Sequence, residues 1–303
     1  MHRKIKIILN PMADMGNAWR VARDLRSITE EHGGIDWSGT VYPGHAIDLA
    51  KRSEDYDVVI AMGGDGTVHE VMNGLMQIPA EKRPIMGVVP VGSGNDFAHS
   101  IKASTTPTEA LKRAINGEAS TVDLGLMTDQ HGRKEYFDNT LGIGFGAIVT
   151  IRSHQLPIVR GFLMYLTAVI QTIILDHNPM TLKIESDGEK WEQRAIYLII
   201  CNGPREGGGF LVAPEAKLDD GIFHYAMITD VSRAMMFRIV PEVMKGTHGR
   251  FKQVKMGTCK KFSITSDRPL YIHADGEIFT GPGTDLRGAT FEILPNALKV
   301  IKG

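Results

Sequence analysis

The stretch Gly63-Gly64-Asp65-Gly66-Thr67 constrains this chain more than any other, because it joins a short apolar run to a helical pattern. The run, Asp57-Val58-Val59-Ile60-Ala61-Met62, is β-branched at Val58, Val59 and Ile60 and lacks polar alternation, which predicts a strand buried on both faces. Beyond the turn, Val68, Val71, Met72, Leu75 and Met76 recur at i, i+3, i+4, i+7 and i+8, the apolar face of a helix expected to begin at Thr67. Glycines at such a junction let backbone N–H groups approach an anion, and the helix N-terminus adds partial positive charge. A nucleotide polyphosphate is the expected guest. Gly66 is followed by Thr67-Val68, so the Lys-Ser/Thr ending of a Walker loop is absent, and the glycines do not match the dinucleotide fingerprint. Glycines also serve tight connections that bind nothing. Asp65 argues for a ligand, since an acid beside anion-binding amides points to a metal or ordered water near the phosphate.

Strand and helix signals alternate through the first half. Ile5 to Leu9, Val58 to Met62 and Ile85 to Val89 read as strands; Ala18 to Thr29, Thr67 to Gln77 and Thr108 to Ile115 read as helices. That order predicts an α/β, doubly wound, mainly parallel sheet whose ligand sits at the carboxyl ends of the strands. Three loops leave those ends, Asn10 to Gly16, Gly63 to Thr67 and Pro90 to Asp96, and each carries glycine with Asn or Asp. After about Asp123 the pattern shifts to shorter strand-like runs: Met180 to Glu185, Ala195 to Cys201, Phe223 to Ile228, Lys261 to Thr265 and Leu270 to His273. Turn signals at Asp187-Gly188, Asp220-Gly221 and Gly281-Pro282-Gly283 separate them. An antiparallel β domain is expected there, interrupted by helical pattern near Phe162 to Leu175 and Ser232 to Met244. The predicted division is 1–125 and 126–290, with 291–303 packing back on the first domain.

Composition excludes several classes. A chain of 303 residues with 43% apolar and 23% charged residues has material for two ordinary cores, and a net charge of −1 does not support an electrostatic nucleic-acid binder. Cys201 and Cys259 make neither a CxxC pair nor a disulfide framework, and Asn73 stands where a zinc-protease helix starting at His69-Glu70 needs its second histidine. Met1-His2-Arg3-Lys4 runs into Ile5 without a secretory apolar segment, so a cytoplasmic protein is expected. The longest uncharged run, Gly161 to Leu175 between Arg160 and Asp176, is shorter than the ~20 residues a spanning helix needs. It reads as a core helix, or as a helix beside an apolar substrate mouth. No Gly-x-Ser-x-Gly turn supports hydrolase chemistry.

A second set of motifs completes the pattern: Gly92-Ser93-Gly94-Asn95-Asp96-Phe97-Ala98, Asp123-Leu124-Gly125, Asn139 to Gly146, Gly207-Gly208-Gly209, Pro214 to Gly221 and Asp275-Gly276-Glu277. In order and combination they resemble the diacylglycerol kinase catalytic-domain family, which includes bacterial lipid kinases and, more distantly, sphingosine and ceramide kinases. The resemblance runs from Asn10-Pro11 to Phe291–Ile301. The bare Gly63–Thr67 motif is shared with NAD kinases and with part of the phosphofructokinase pattern; its continuation Val68-His69-Glu70-Val71-Met72-Asn73-Gly74-Leu75 is what resembles lipid kinases.

The resemblance implies a nucleotide cleft between an N-terminal α/β domain and a C-terminal β-sandwich. It places ATP on Asn10, Thr40, Gly63, Gly64, Asp65, Gly66, Thr67, Val68, His69, Ser93, Asn95 and Asp96, with Asp123 extending a carboxylate and water network. It matches Lys217, Asp220 and Ile222 to a structural Mg²⁺ site in which Lys217 and Ile222 offer backbone carbonyls. Phosphoryl transfer also needs an acceptor for the hydroxyl proton, and Asp275 and Glu277 are the candidates, Glu277 as base and Asp275 on metal or substrate. The implied activity is transfer of the γ-phosphoryl group of ATP to a lipid hydroxyl, first of all diacylglycerol giving phosphatidic acid, by a protein that visits the inner membrane surface transiently. A homodimer is the family expectation. An NAD kinase and a non-catalytic nucleotide-binding regulator at the membrane are the alternatives. Gly146, where many bacterial members carry Asp, and His69, where Asn is common, are departures that bear on lipid specificity.

Overall fold

The computed structural model describes residues 3–156 and 161–303, so Met1, His2 and the Arg160 that bounds the uncharged run lie outside the described residues. The chain divides into two units, one running to Asp123 and taking up Asn296–Gly303, the other Leu124–Pro295.

In the first unit the chain runs β1 (Ile5–Leu9), α1 (Asn17–Asp24), α2 (Arg26–His32), β2 (Ile35–Gly39), α3 (His45–Ala50), β3 (Val58–Gly63), α4 (Asp65–Leu75), β4 (Ile85–Pro90), α5 (Asp96–Ser100), α6 (Pro107–Asn116) and the start of β5 (Ala119–Asp129). The strands pair in parallel in the order β2-β1-β3-β4, and Val300 near the end of the chain pairs with Met86 on the far side of β4. Every residue of β1 and β3 is buried, as strands covered on both faces require, and Lys6 is the one charged residue among them. Ile5, Ile7, Val58 and Ile60 share a core with Ala18, Ala22, Leu111 and Ala114, so α1 and α6 cover one face. Lys6, of opposite parity, donates its Nζ to the Leu49 carbonyl of α3, and α3 packs on α4 where Gly74 leaves no room for a Cβ beside Ala50. The sheet is thus wound on both sides. The helix expected over Ala18 to Thr29 breaks at Leu25 into α1 and α2, and α4 begins at Asp65, two residues before the expected start at Thr67.

The second unit continues with β6 (Lys134–Phe137), β7 (Thr140–Gly144), α7 (Phe145–His154), α8 (Gly161–Leu175), β8 (Met180–Ser186), β9 (Glu189–Cys201), β10 (Phe223–Thr229), α9 (Arg233–Met244), β11 (Val254–Cys259), β12 (Lys261–Ser266), β13 (Ile272–Ala274), β14 (Glu277–Thr280) and β15 (Gly288–Ile301). Its pairings are antiparallel. The long β9 pairs with β8 along its first half and with β7 and β10 along its second, which turns the strands into a β-sandwich. Alternation along β9 then serves two cores. Leu198 and Ile200 enter the sandwich interior with Phe223, Phe262 and Phe291, whereas Tyr197, Ile199 and Cys201 face the layer built by α7, α8 and α9. None of the described helices is long and apolar enough to cross a membrane.

Candidate active site

The first unit aligns its candidate residues along one sheet edge. Leu9 is in register with Gly39 and with Met62, and Gly63 with Pro90, so Asn10, Thr40, Gly63 and the loop after Pro90 leave adjacent parallel strands side by side. Asn10 Oδ1 accepts the Met12 N–H at 3.0 Å, and the Thr40 N–H donates to the Leu9 carbonyl at 2.8 Å. Glycine is required here by close approach. A Cβ on Gly92 would lie 2.4 Å from Gly64 Cα, one on Gly94 2.7 Å from an Asp65 carboxylate oxygen, and one on Gly63 2.3 Å from Thr67 Oγ1. The second and third loops therefore touch backbone to backbone.

Asp65 fastens that contact. Its Oδ1 accepts the Asp96 N–H at 2.7 Å, and burial pushes its carboxyl up to about 7, Asp96 adding to the rise against the backbone N–H groups of Asp96, Asn95 and Phe97. Asn95, left-handed at φ 54°, braces its own loop by accepting from Gly92 N–H and donating to Gly92 O. Ser93 is exposed at the loop tip. Asp65 and Gly66 head α4, where helix geometry offers N–H groups no carbonyl partner, while Thr67 and Val68 donate to Gly64 O. Thr67 Oγ1 is buried and has no hydrogen-bond partner among the described residues. A buried orphan hydroxyl in a cradle that Cβ atoms would fill, at a helix N-terminus, fits a phosphate group. His69 is buried, with Asn73 Nδ2 donating to its carbonyl and lying 3.3 Å from its Nε2. Asp123 is equally buried, and its carboxylate accepts the Asn296 N–H at 2.8 Å. Glu70 carries a role that sequence reasoning missed: it accepts the Gly44 and Ala46 N–H groups at 2.8 and 3.0 Å and so fixes the start of α3 beside Thr40.

The second unit holds the acidic pair on the turn between β13 and β14. Asp275, at φ 51°, is buried, and its carboxylate accepts the N–H groups of Asp138, Asn139 and Thr140, each at 2.9 Å. Those bonds define it as the anchor of the segment entering β7. Glu277 opens β14 and is exposed. Lys217, Asp220 and Ile222 lie in one turn, where Asp220 Oδ1 meets the Ile222 N–H at 3.3 Å and Oδ2 lies 3.6 Å from His224 Nε2. Among the described residues no three His, Cys, Asp or Glu side chains converge as a metal site, so any cation at this turn relies on backbone carbonyls with a single carboxylate.

A narrow apolar pocket with an interior of about 40 Å³ opens among α7, α8, α9 and the outer face of β9, with Val149, Tyr165, Val169, Phe210, Val240 and Val243 in its walls. Gly146 lines it too, since a Cβ there would lie 2.5 Å from the Tyr197 ring. One ionisable carboxylate reaches the lining, Glu206. It is buried, accepts the Tyr197 hydroxyl at 2.9 Å and pairs with the fully buried His273 at 2.9 Å. Burial alone would raise its carboxyl, but His273, Tyr197 and Tyr165 outweigh that and hold it below the usual range.

Residues 4–127 match the family model described as the diacylglycerol kinase catalytic domain, and residues 139–302 match the YegS C-terminal NAD kinase beta sandwich-like domain. The chain belongs to the diacylglycerol kinase catalytic-domain family. It is 31% identical to a Yersinia pestis protein named "Probable lipid kinase YegS-like" over 90% of this chain and 84% of that one. It is also 29% identical to a Staphylococcus saprophyticus protein named "Diacylglycerol kinase", over 91% and 90%. A crystal structure titled as a diacylglycerol kinase from Bacillus anthracis superposes with a TM-score of 0.71, covering 100% of this chain and 97% of that one at 20% identity, a likeness of fold. As a member of this family the protein is a lipid kinase, and the N-terminal α/β domain and C-terminal β-sandwich are the family's two parts. Kinase chemistry makes ATP the phosphoryl donor.

Proposed function

We propose that the protein transfers the γ-phosphoryl group of ATP, with Mg²⁺, to the free hydroxyl of diacylglycerol and releases ADP and phosphatidic acid. The observation that carries the choice of acceptor is the pocket under α8 and α9, whose walls are hydrocarbon apart from Glu206, Tyr165 and Tyr197 and so suit an acyl chain. On the nucleotide side, the Gly63–Thr67 cradle with its orphan Thr67 hydroxyl would take the phosphates, and Ser93 and Asn10 stand on neighbouring loops of the same edge. Asp65, Asn95 and Asp96 serve by holding the loops together. When bound, Mg²⁺ would neutralise phosphate charge, and the all-oxygen donor set of Lys217, Asp220 and Ile222 suits a second, structural Mg²⁺.

The acceptor hydroxyl oxygen attacks the γ-phosphorus, the bond from phosphorus to the β,γ-bridging oxygen breaks, and the hydroxyl proton passes to a carboxylate. Glu277 is the proton acceptor in this reading, because three backbone N–H groups already occupy Asp275. Leu163, Ile170 and Ile174 lie exposed on the outer side of α8, which supports transient attachment to a membrane surface where diacylglycerol resides.

The test is incubation with ATP labelled at the γ-phosphate, Mg²⁺ and a panel of diacylglycerol, monoacylglycerol, ceramide, sphingosine and NAD in mixed micelles. Label should enter diacylglycerol foremost. Folded protein that binds ATP yet labels no lipid would sink the reading, and label in NAD alone would replace it with NAD kinase activity.

A further inference from the structure

Glu206 joins the pocket to the acidic turn by two routes, both inside the second unit. On the first, its Oε1 lies 2.9 Å from His273 Nε2, and β13 carries His273 two residues before Asp275. On the second, the Asp275 carboxylate holds the Asn139 N–H, and Asn139 Nδ2 donates to the Arg205 carbonyl at 2.6 Å, next to Glu206. Asn202 reinforces it, with its N–H donating to Asn139 O at 2.8 Å and its Nδ2 to Asp138 O at 2.7 Å. The result is a closed ring through Glu206, His273, Asp275, Asn139 and Arg205.

The ring meets the pocket wall through small residues. Gly142 pairs with His273 in register, and a Cβ there would fall 2.1 Å from His273 Nε2, so the Nε2 end of the imidazole occupies the space that only glycine leaves. Gly207 and Gly209, just after Glu206, give the same room to the rings of Tyr165 and Phe162 on α8. Tyr165 and Tyr197 line the pocket, and the Tyr197 hydroxyl ends on Glu206 Oε2. A molecule that parts α8 from α9 therefore presses on side chains whose far ends rest on Glu206. Neither ring nitrogen of His273 makes a hydrogen bond among the described residues, so the imidazole is held by its 2.9 Å approach to Glu206 Oε1 and by packing.

We propose that the buried Glu206–His273 pair is a positioning relay through which a hydrocarbon chain in the pocket sets the Asp275–Glu277 turn for phosphoryl transfer. The relay rests on the lipid-kinase reading above and adds the element that reports chain occupancy to the reacting hydroxyl. Neither Glu206 nor His273 touches the reacting atoms. Their effect is on the rate after the acceptor has bound, and so on kcat with long-chain acceptor.

The experiment compares dioleoylglycerol, whose chains are long enough to enter the pocket and part its walls, with dibutyrylglycerol, whose chains are too short to do so, using wild type and the variants Glu206→Gln, His273→Asn and Tyr197→Phe. Wild type should turn over the long-chain acceptor with kcat about tenfold or more above the short-chain one. In the variants that ratio should fall towards one, while KM for dioleoylglycerol changes by less than about threefold. His273→Gln, which keeps an N–H to aim at Glu206, should recover part of the ratio. A ratio retained in all variants, a loss seen only in KM, or no chain-length ratio in wild type overturns the relay. Labelling of neither acceptor by wild type overturns the lipid-kinase reading itself. Tyr197→Phe removes one hydroxyl and keeps the ring, so it answers the question even where a charge-altering variant does not fold.

Discussion

Asp65 on the first turn of α4 accepts the backbone N–H of Asp96 at 2.7 Å, which ties the second glycine loop of the nucleotide edge to the third. Burial pushes its carboxyl from 3.8 to about 7, with Asp96 adding to the rise. Native protein therefore keeps this proton where the unfolded chain has lost it. For a group raised on folding, the contribution to stability is complete below about 3.8 and is lost as pH rises through about 7. Nucleotide-free protein in EDTA should lose stability across that window in denaturant titrations, and Asp65→Asn should flatten this part of the profile. A variant with the wild-type slope would remove Asp65 as its source.

The same junction predicts a steric effect. Gly92→Ala would place a Cβ 2.4 Å from Gly64 Cα, and neither partner has a side chain that can move aside. The loops must separate, at a cost of about 1–3 kcal/mol. Displacing the phosphate cradle should weaken ATP binding by roughly tenfold to a hundredfold. Calorimetric titration with ATP measures it, and undiminished affinity would show that the loop contact does not shape the site.

Asp275 and Glu277 should separate cleanly. Removing the Asp275 carboxylate strands three buried N–H donors, so Asp275→Ala should cost several kcal/mol, at about 1–3 kcal/mol per buried group left unpaired. Glu277 is exposed, and Glu277→Gln should alter stability by less than about 0.5 kcal/mol. It should lower kcat by about 10²–10⁴ while ATP still binds. Thermal unfolding and turnover measured on both variants decide the assignment; a Glu277→Gln enzyme with wild-type kcat would rule out that residue as base.

What the sequence made legible follows from how the physics is written into it. β3 and β4 are buried on both faces, so their runs carry no charge, and β1 departs from this only at Lys6, whose Nζ is spent on the Leu49 carbonyl. β2 is the half-exposed edge strand, with the sequence Ile35-Asp36-Trp37-Ser38-Gly39, and carries no such signal. β7 has glycine at two of its five positions, and one of them, Gly142, is there to admit His273. α4 starts before its apolar face because Asp65 and Gly66 join the helix to present N–H groups and a carboxylate to the loops. The acidic pair was visible as Asp-Gly-Glu, but the difference between its members was not, since nothing in Asp275 announces the three amides it binds. Tyr197, Glu206 and His273 form no motif at all. The one trace was the glycine run after Glu206, which packing against α8 explains.

The pocket makes a prediction of opposite kinetic form to the relay. Val243 on α9 is half-buried in the pocket wall, and Val243→Phe would fill space that a chain is expected to occupy. Overpacking should cost no more than about 1–3 kcal/mol, because the pocket is open at its mouth. Chain binding should suffer directly: KM for dioleoylglycerol should rise by about tenfold or more, and that for dibutyrylglycerol far less. ATP binding, which the proposed reading assigns to the first unit, should not change. Phosphorylation kinetics on the two acceptors give the answer, and a Val243→Phe enzyme with unaltered KM for the long-chain lipid would mean that the hydrocarbon lies elsewhere. Blocking the pocket and cutting the relay thus fall on different constants, KM in one case and kcat in the other, so binding of a chain and the response to it can be measured apart.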